Sequence, residues 1–181
     1  MRLRHIPVRL SEIKFSYDET EVLVAYSLGS CVGVALWDPE YKVGGMAHVF
    51  LPYSRRRTGK GPVGEQGETV VPGFAGCNRR HIGKYGERAV PYLVSGLLKM
   101  GCRRENLMAS IAGGASVIMG LSTPFGDIGL LNSLAVQESL TKEKIKIAGK
   151  DIGGNHGRTV RLYIGSGRVT VSSIHHPETD L

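Results

Sequence analysis

Between Glu21 and Leu51 apolar residues alternate with small or polar ones and show no helical period. Glu21-Val22-Leu23-Val24-Ala25 reads as a short strand, and residues 31–37 read as a second, ended by Asp38-Pro39. Residues 43–51 form a third, closed by Pro52. The short turn at Glu40-Tyr41-Lys42 allows the second and third strands to pair antiparallel. Over residues 85–100 the period changes. Ala89, Tyr92, Leu93, Leu97 and Met100 recur at helical spacing, Gly101 supplies a stop, and Pro91 fits if it falls in the first turn. Asn106 to Ala112 is predicted as a strand broken by Gly113-Gly114. Asp127 is placed to cap a second helix that buries Ile128, Leu131, Leu134 and Ala135. Residues 145–148, 159–164 and 168–174 are the closing strands, the last two joined through Gly165-Ser166-Gly167 as a hairpin. The tail, residues 175–181, is expected to fray.

Strands outnumber helices and come first and last as local hairpins. The pattern predicts an α+β fold with helices packed on one side of sheet, not a doubly wound dinucleotide fold. A chain of 181 residues suits one domain, 1–181, with a substantial core. Residues 54–82 break the pattern. They are rich in glycine, carry Arg55, Arg56, Arg57, Lys60, Arg79 and Arg80, and are expected to form a long basic loop.

That loop holds much of the formal charge of +7. No aromatic residues interleave Arg55–Arg57 and no nucleic-acid motif appears, so a solvated loop is favoured over specific nucleic-acid binding. Attraction to an acidic protein or anionic surface is the intermediate reading. No run approaches the ~18 apolar residues of a membrane span, and no apolar segment follows the charged N-terminus as in a secretory signal. Cys31, Cys77 and Cys102 are odd in number and contain no C-x-x-C pair. That argues against a disulfide framework or zinc cluster and for a reducing, cytoplasmic setting.

The candidate chemistry lies in Gly29-Ser30-Cys31-Val32-Gly33 and, seventeen residues on, His48. Cys31 begins its strand and His48 ends the next, so antiparallel pairing makes them neighbours, as a nucleophile and base require. A lone cysteine is more often structural, but flanking glycines let a substrate approach the backbone, and turn N–H groups suit an oxyanion hole. A lone histidine on an apolar strand is more often part of the core, so the case for His48 rests on Cys31. The segment superficially matches the hydrolase G-x-nucleophile-x-G elbow, but a strand follows it here instead of a helix, and that fold is rejected. His5, His81, His156, His175 and His176 show no ligand spacing, and no metal or cofactor is expected. Gly113-Gly114 and Gly153-Gly154 read first as tight turns with positive φ and second as groove lining, where Ser30, Ser116 and Asn155 would add polar contacts.

The segments 27–34, Trp37-Asp38-Pro39 and 45–52, with Ile111-Ala112-Gly113-Gly114-Ala115-Ser116 and Asp151-Ile152-Gly153-Gly154-Asn155, resemble the chemoreceptor glutamine deamidases, the CheD family. The resemblance runs through essentially the whole chain in order. It implies hydrolysis of selected chemoreceptor glutamines to glutamate through a cysteine thioester, with the family's cysteine and histidine at Cys31 and His48 and no cofactor. It also implies a layered β-sheet/β-sheet/helix sandwich like the catalytic domains of deamidating toxins. The implied partners are chemoreceptor cytoplasmic domains and a CheC-type phosphatase, for which a member with weakened catalysis would act as a regulatory binding module. An amidase with an unrelated protein substrate is the third reading. Two departures stand out: the basic stretch is longer than the family leads one to expect, and the family's threonine five or six residues before the cysteine is replaced by Ala25 or Tyr26. Ser27 is the nearest hydroxyl and the candidate third member.

Overall fold

The computed structural model describes residues 2–54, 79–116, 127–174 and 176–181, except the side chains of residues 79–81. Most of the basic stretch, with Cys77 and His175, lies outside the described residues. The strands are β1 (Arg4–Pro7), β2 (Ile13–Ser16), β3 (Glu21–Leu28), β4 (Val32–Asp38), β5 (Val43–Val49), β6 (Met108–Gly113), β7 (Lys146–Ile152), β8 (Arg158–Tyr163), β9 (Val169–Ser173) and β10 (His176–Asp180). The helices are α1 (Gly86–Lys99) and α2 (Ile128–Lys142), with 3-10 turns at Arg79–Lys84 and Arg104–Asn106.

Two five-stranded sheets result, one ordered β1-β3-β8-β9-β10 and the other β2-β5-β4-β6-β7. The middle strands of the second sheet, β4, β5 and β6, are buried on both faces because they are apolar or small at nearly every position. Val32, Val34 and Leu36 of β4 and Ala47 and Val49 of β5 join Leu93, Leu97, Val136 and Leu140 in a core against the helices. The alternate residues Ala35 and Met46 pack instead with Leu23, Val160 and Leu162 of the first sheet. The period-two alternation of a strand thus assigns each side chain of β4 and β5 to one of two cores.

Several expectations change. Two short strands precede Glu21, where the pattern predicts none, and the tail pairs with β9 as β10 rather than fraying. Pro91 is the sixth residue of α1, beyond its first turn, and removes one rung of the helical ladder. In α1, Val90 and Val94 are buried alongside Ala89, Leu93 and Leu97, while Tyr92 and Met100 are only half-buried. Asp127 does cap α2, accepting from the Leu130 N–H at 3.1 Å. The buried face of α2 is shifted: of the expected residues Ala135 is buried, Ile128 and Leu131 are half-buried and Leu134 is exposed, while Asn132, Ser133, Val136, Ser139 and Leu140 are buried as well. Among the described residues, no helix is long and apolar enough to cross a membrane.

Candidate active site

β4 and β5 pair antiparallel with Gly33 opposite His48 and Val32 opposite Val49. Cys31 immediately precedes β4, so it lies diagonally across from His48, within the reach of diagonal neighbours on one sheet face. The faces agree. Cys31, like Trp37, packs against the core that holds Ala35 and faces the first sheet, and alternation from Met46 puts His48 on that same side. Gly33 lies between them in register without a side chain, and a Cβ there would come within 2.9 Å of Leu28.

The turn that presents Cys31 is held through its carbonyls. Gly29 C=O accepts from the Ala115 N–H at 2.8 Å, and Cys31 C=O accepts from the Gly114 N–H at 2.8 Å. Ser30 C=O accepts from the Asn132 side-chain amide at 2.7 Å. Three consecutive carbonyls are therefore occupied. The Cys31 N–H donates to no other described residue and lies against its own sulfur. Gly113 and Gly114 have positive φ of 115° and 64°, and a Cβ on either would overlap Cys31 C=O or Ser133 Oγ respectively. Both are buried, where a side chain would not fit the backbone turn. The second glycine pair joins the same construction, since Gly153 N–H donates to Gly113 C=O at 2.9 Å and Ser116 N–H to Gly154 C=O at 2.8 Å. Asn155 is exposed beside this turn, and Ser30 is half-buried.

His48 is 6% exposed, and its Nδ1 lies 3.1 Å from the Val8 carbonyl oxygen. A carbonyl only accepts, so Nδ1 carries the proton and Nε2 presents a lone pair. Nε2 is buried without a hydrogen-bond partner among the described residues. Val8 is itself fixed, its N–H donating to Val24 C=O at 2.7 Å. Ser27 is not on this ring. It occupies an exposed left-handed bulge of β3, φ 56°, where the register against β8 shifts between Ala25 and Leu28. The extra residue of that bulge turns Ser27 outward.

Burial pushes the Cys31 thiol pKa up, partly offset by its own N–H. Burial pushes the His48 imidazole pKa down, partly offset by Val8 C=O and the Glu12 carboxylate. Both shifts favour a neutral thiol and a neutral imidazole over a preformed thiolate–imidazolium pair. Cys102 differs. It is buried against Asp38 and its pKa is pushed up to about 11, first by burial and then by that carboxylate.

Pattern reading found Cys31, His48 and the glycine turns but missed Val8 and Asn132. Val8 acts through its backbone, for which no side-chain signal exists. Asn132 had a weak signal: with Ser133 it lies off the leucine stripe of α2, at a position that becomes fully buried.

Known proteins give the same direction. The chain is 38% identical over 96% of its length, and 95% of the other protein, to "Probable chemoreceptor glutamine deamidase CheD" of Symbiobacterium thermophilum. It is 37% identical over 95% of each chain to "Probable chemoreceptor glutamine deamidase CheD 2" of Geobacter metallireducens. Identity is 38% over 80% of each chain to the similarly named protein of Methanococcus vannielii. Residues 72–173 match the family model described as "CheD chemotactic sensory transduction". With a cysteine turn, an oriented imidazole and relatives that match nearly from end to end, the chain belongs to the CheD family.

Proposed function

We propose that this chain is a protein-glutamine glutaminase that converts selected glutamines of chemoreceptor cytoplasmic domains to glutamate, with Cys31 as nucleophile and His48 as base and acid. The observation that carries this reading is the pairing of Gly33 with His48, which sets a half-exposed thiol and an unpartnered Nε2 on one sheet face. The thiol proton passes to Nε2 as sulfur attacks the carboxamide carbon and the C=O electron pair moves onto oxygen. Collapse of the tetrahedral intermediate breaks the C–N bond, and nitrogen takes the proton from Nε2 and leaves as ammonia. Water then gives a proton to Nε2 and attacks the thioester. The second collapse expels the thiolate, which recovers its proton from the ring, and the product is glutamate. No redox step occurs, and the reaction balances without a cofactor.

The enzyme is read as one cytoplasmic domain with a layered sandwich of the deamidating-toxin kind, its basic stretch inserted after the His48 strand. The rival reading, a binding module regulating a CheC-type phosphatase, drew on the missing threonine. Val8 C=O already orients the imidazole from its Nδ1 side, so a hydroxyl there is dispensable and catalysis is favoured. The test is ammonia release together with Gln-to-Glu mass gain on chemoreceptor fragments. Wild type turns over and Cys31→Ala does not; equal rates overturn the reading. A retained phosphatase with no mass gain on any receptor moves the conclusion to the binding module.

A further inference from the structure

Asn132 is fully buried on α2, where an amide is costly to desolvate unless it is hydrogen-bonded. Its side-chain amide donates to two carbonyls from different strands: Ser30 C=O at 2.7 Å and Phe50 C=O at 3.1 Å. Ser30 precedes Cys31, and Phe50 lies two residues beyond His48. A single NH₂ group thus ties the entry of β4 to the exit of β5, using both of its donors. Its Oδ1 remains buried without a partner among the described residues, a cost that apolar packing would have avoided.

The consequence for Cys31 follows from peptide planarity. The Ser30–Cys31 bond is trans, so its C=O and N–H point in opposite directions. With Ser30 C=O anchored on α2, the Cys31 N–H is turned away from the helix layer. Like the N–H groups of Gly29 and Ser30, it donates to no other described residue; of the three it is the one that belongs to the nucleophile. An N–H of the nucleophile itself, fixed in advance, is well placed to receive the oxygen of the tetrahedral intermediate.

Accepting Cys31 as the nucleophile, we propose that Asn132 is a positioning residue: by holding Ser30 C=O and Phe50 C=O it aims the Cys31 N–H as an oxyanion donor. It touches no substrate. Small displacements of such a donor are costly, since loss of one oxyanion contact lowers kcat by ~10²–10³-fold.

The test compares wild type, Asn132→Leu and Asn132→Asp on a chemoreceptor fragment, alongside alkylation of Cys31 by iodoacetamide. Displacement at the saturated carbon of iodoacetamide develops no oxyanion. Expected is a fall in kcat of about 10²-fold with KM within about threefold, while the alkylation rate stays near that of wild type. A kcat within about threefold of wild type overturns the proposal. So does an alkylation rate that falls in step with kcat, which would mark general loss of site structure. Cys31→Ala, run in parallel, separates the two levels: activity surviving there removes the nucleophile and the proposal with it, whereas activity absent there but intact in Asn132→Leu removes the proposal alone. Should neither Asn132 variant fold, the wild-type chain still answers. A peptide bearing glutamate γ-semialdehyde in place of glutamine adds the Cys31 sulfur to its aldehyde carbon, and the thiol proton ends on the new hydroxyl. The Cys31 amide resonance then moves downfield; an unmoved resonance overturns the proposal.

Discussion

The two ends of β4 carry the two described cysteines' chemistry, and they are built in opposite ways. At the Asp38 end every group is committed. The buried carboxylate accepts from the N–H groups of Glu40, Tyr41 and Arg103 at 2.9, 3.3 and 3.1 Å, and Cys102 is buried beside it. At the Cys31 end the carbonyls are committed, while the Cys31 N–H meets only its own sulfur and the Nε2 of His48 faces no partner among the described residues. A site built for stability leaves no polar group unpaired, because each such group costs ~1–3 kcal/mol. A site built for reaction fixes its geometry through other atoms and keeps its donors and acceptors open for the substrate. The burial of Cys31 and Cys102 differs by degree, but their surroundings differ in kind.

Thiol labelling breaks or sharpens this contrast most sharply. In a Cys77→Ser background, Cys31 is alkylated in the native state and Cys102 only through unfolding, a rate ratio of about 10³ or more, read by mass spectrometry of peptides. Comparable native rates would dissolve the distinction. Next, His48→Ala lowers kcat by about 10²–10⁴-fold on receptor fragments, the range expected for loss of a general base. At the opposite end, Asp38→Ala strands three N–H groups and costs about 2–4 kcal/mol by urea denaturation, with turnover per folded molecule close to wild type. A stability loss without any change in turnover confirms that the two ends are separable.

The smallest effect concerns pH. With the His48 pKa depressed, Nε2 keeps its lone pair until pH falls below the ordinary histidine value of about 6.5, so the acid limb of kcat/KM lies below that. With the Cys31 pKa raised, its alkylation rate climbs with pH through a midpoint above the ordinary thiol value of about 8.5. A rate plateau reaching below pH 6 would instead reveal a preformed ion pair.

Residue pattern alone settled β3, β4 and β5, the β8–β9 hairpin and the Asp127 cap, because each depends on neighbours within a few positions. It also paired Cys31 with His48, since two strands joined by a tight turn have little freedom of register. Tertiary structure decided the rest. The expected face of α2 kept Ala135 but lost Leu134 to solvent, because the helix packs on backbone carbonyls that need donors and Asn132 supplies them. The partner of the His48 ring came from a backbone carbonyl forty residues away, and β10 formed because β9 offered an open edge. Local periodicity records which side chains are apolar; only the assembled chain determines which polar groups lose water and must be answered.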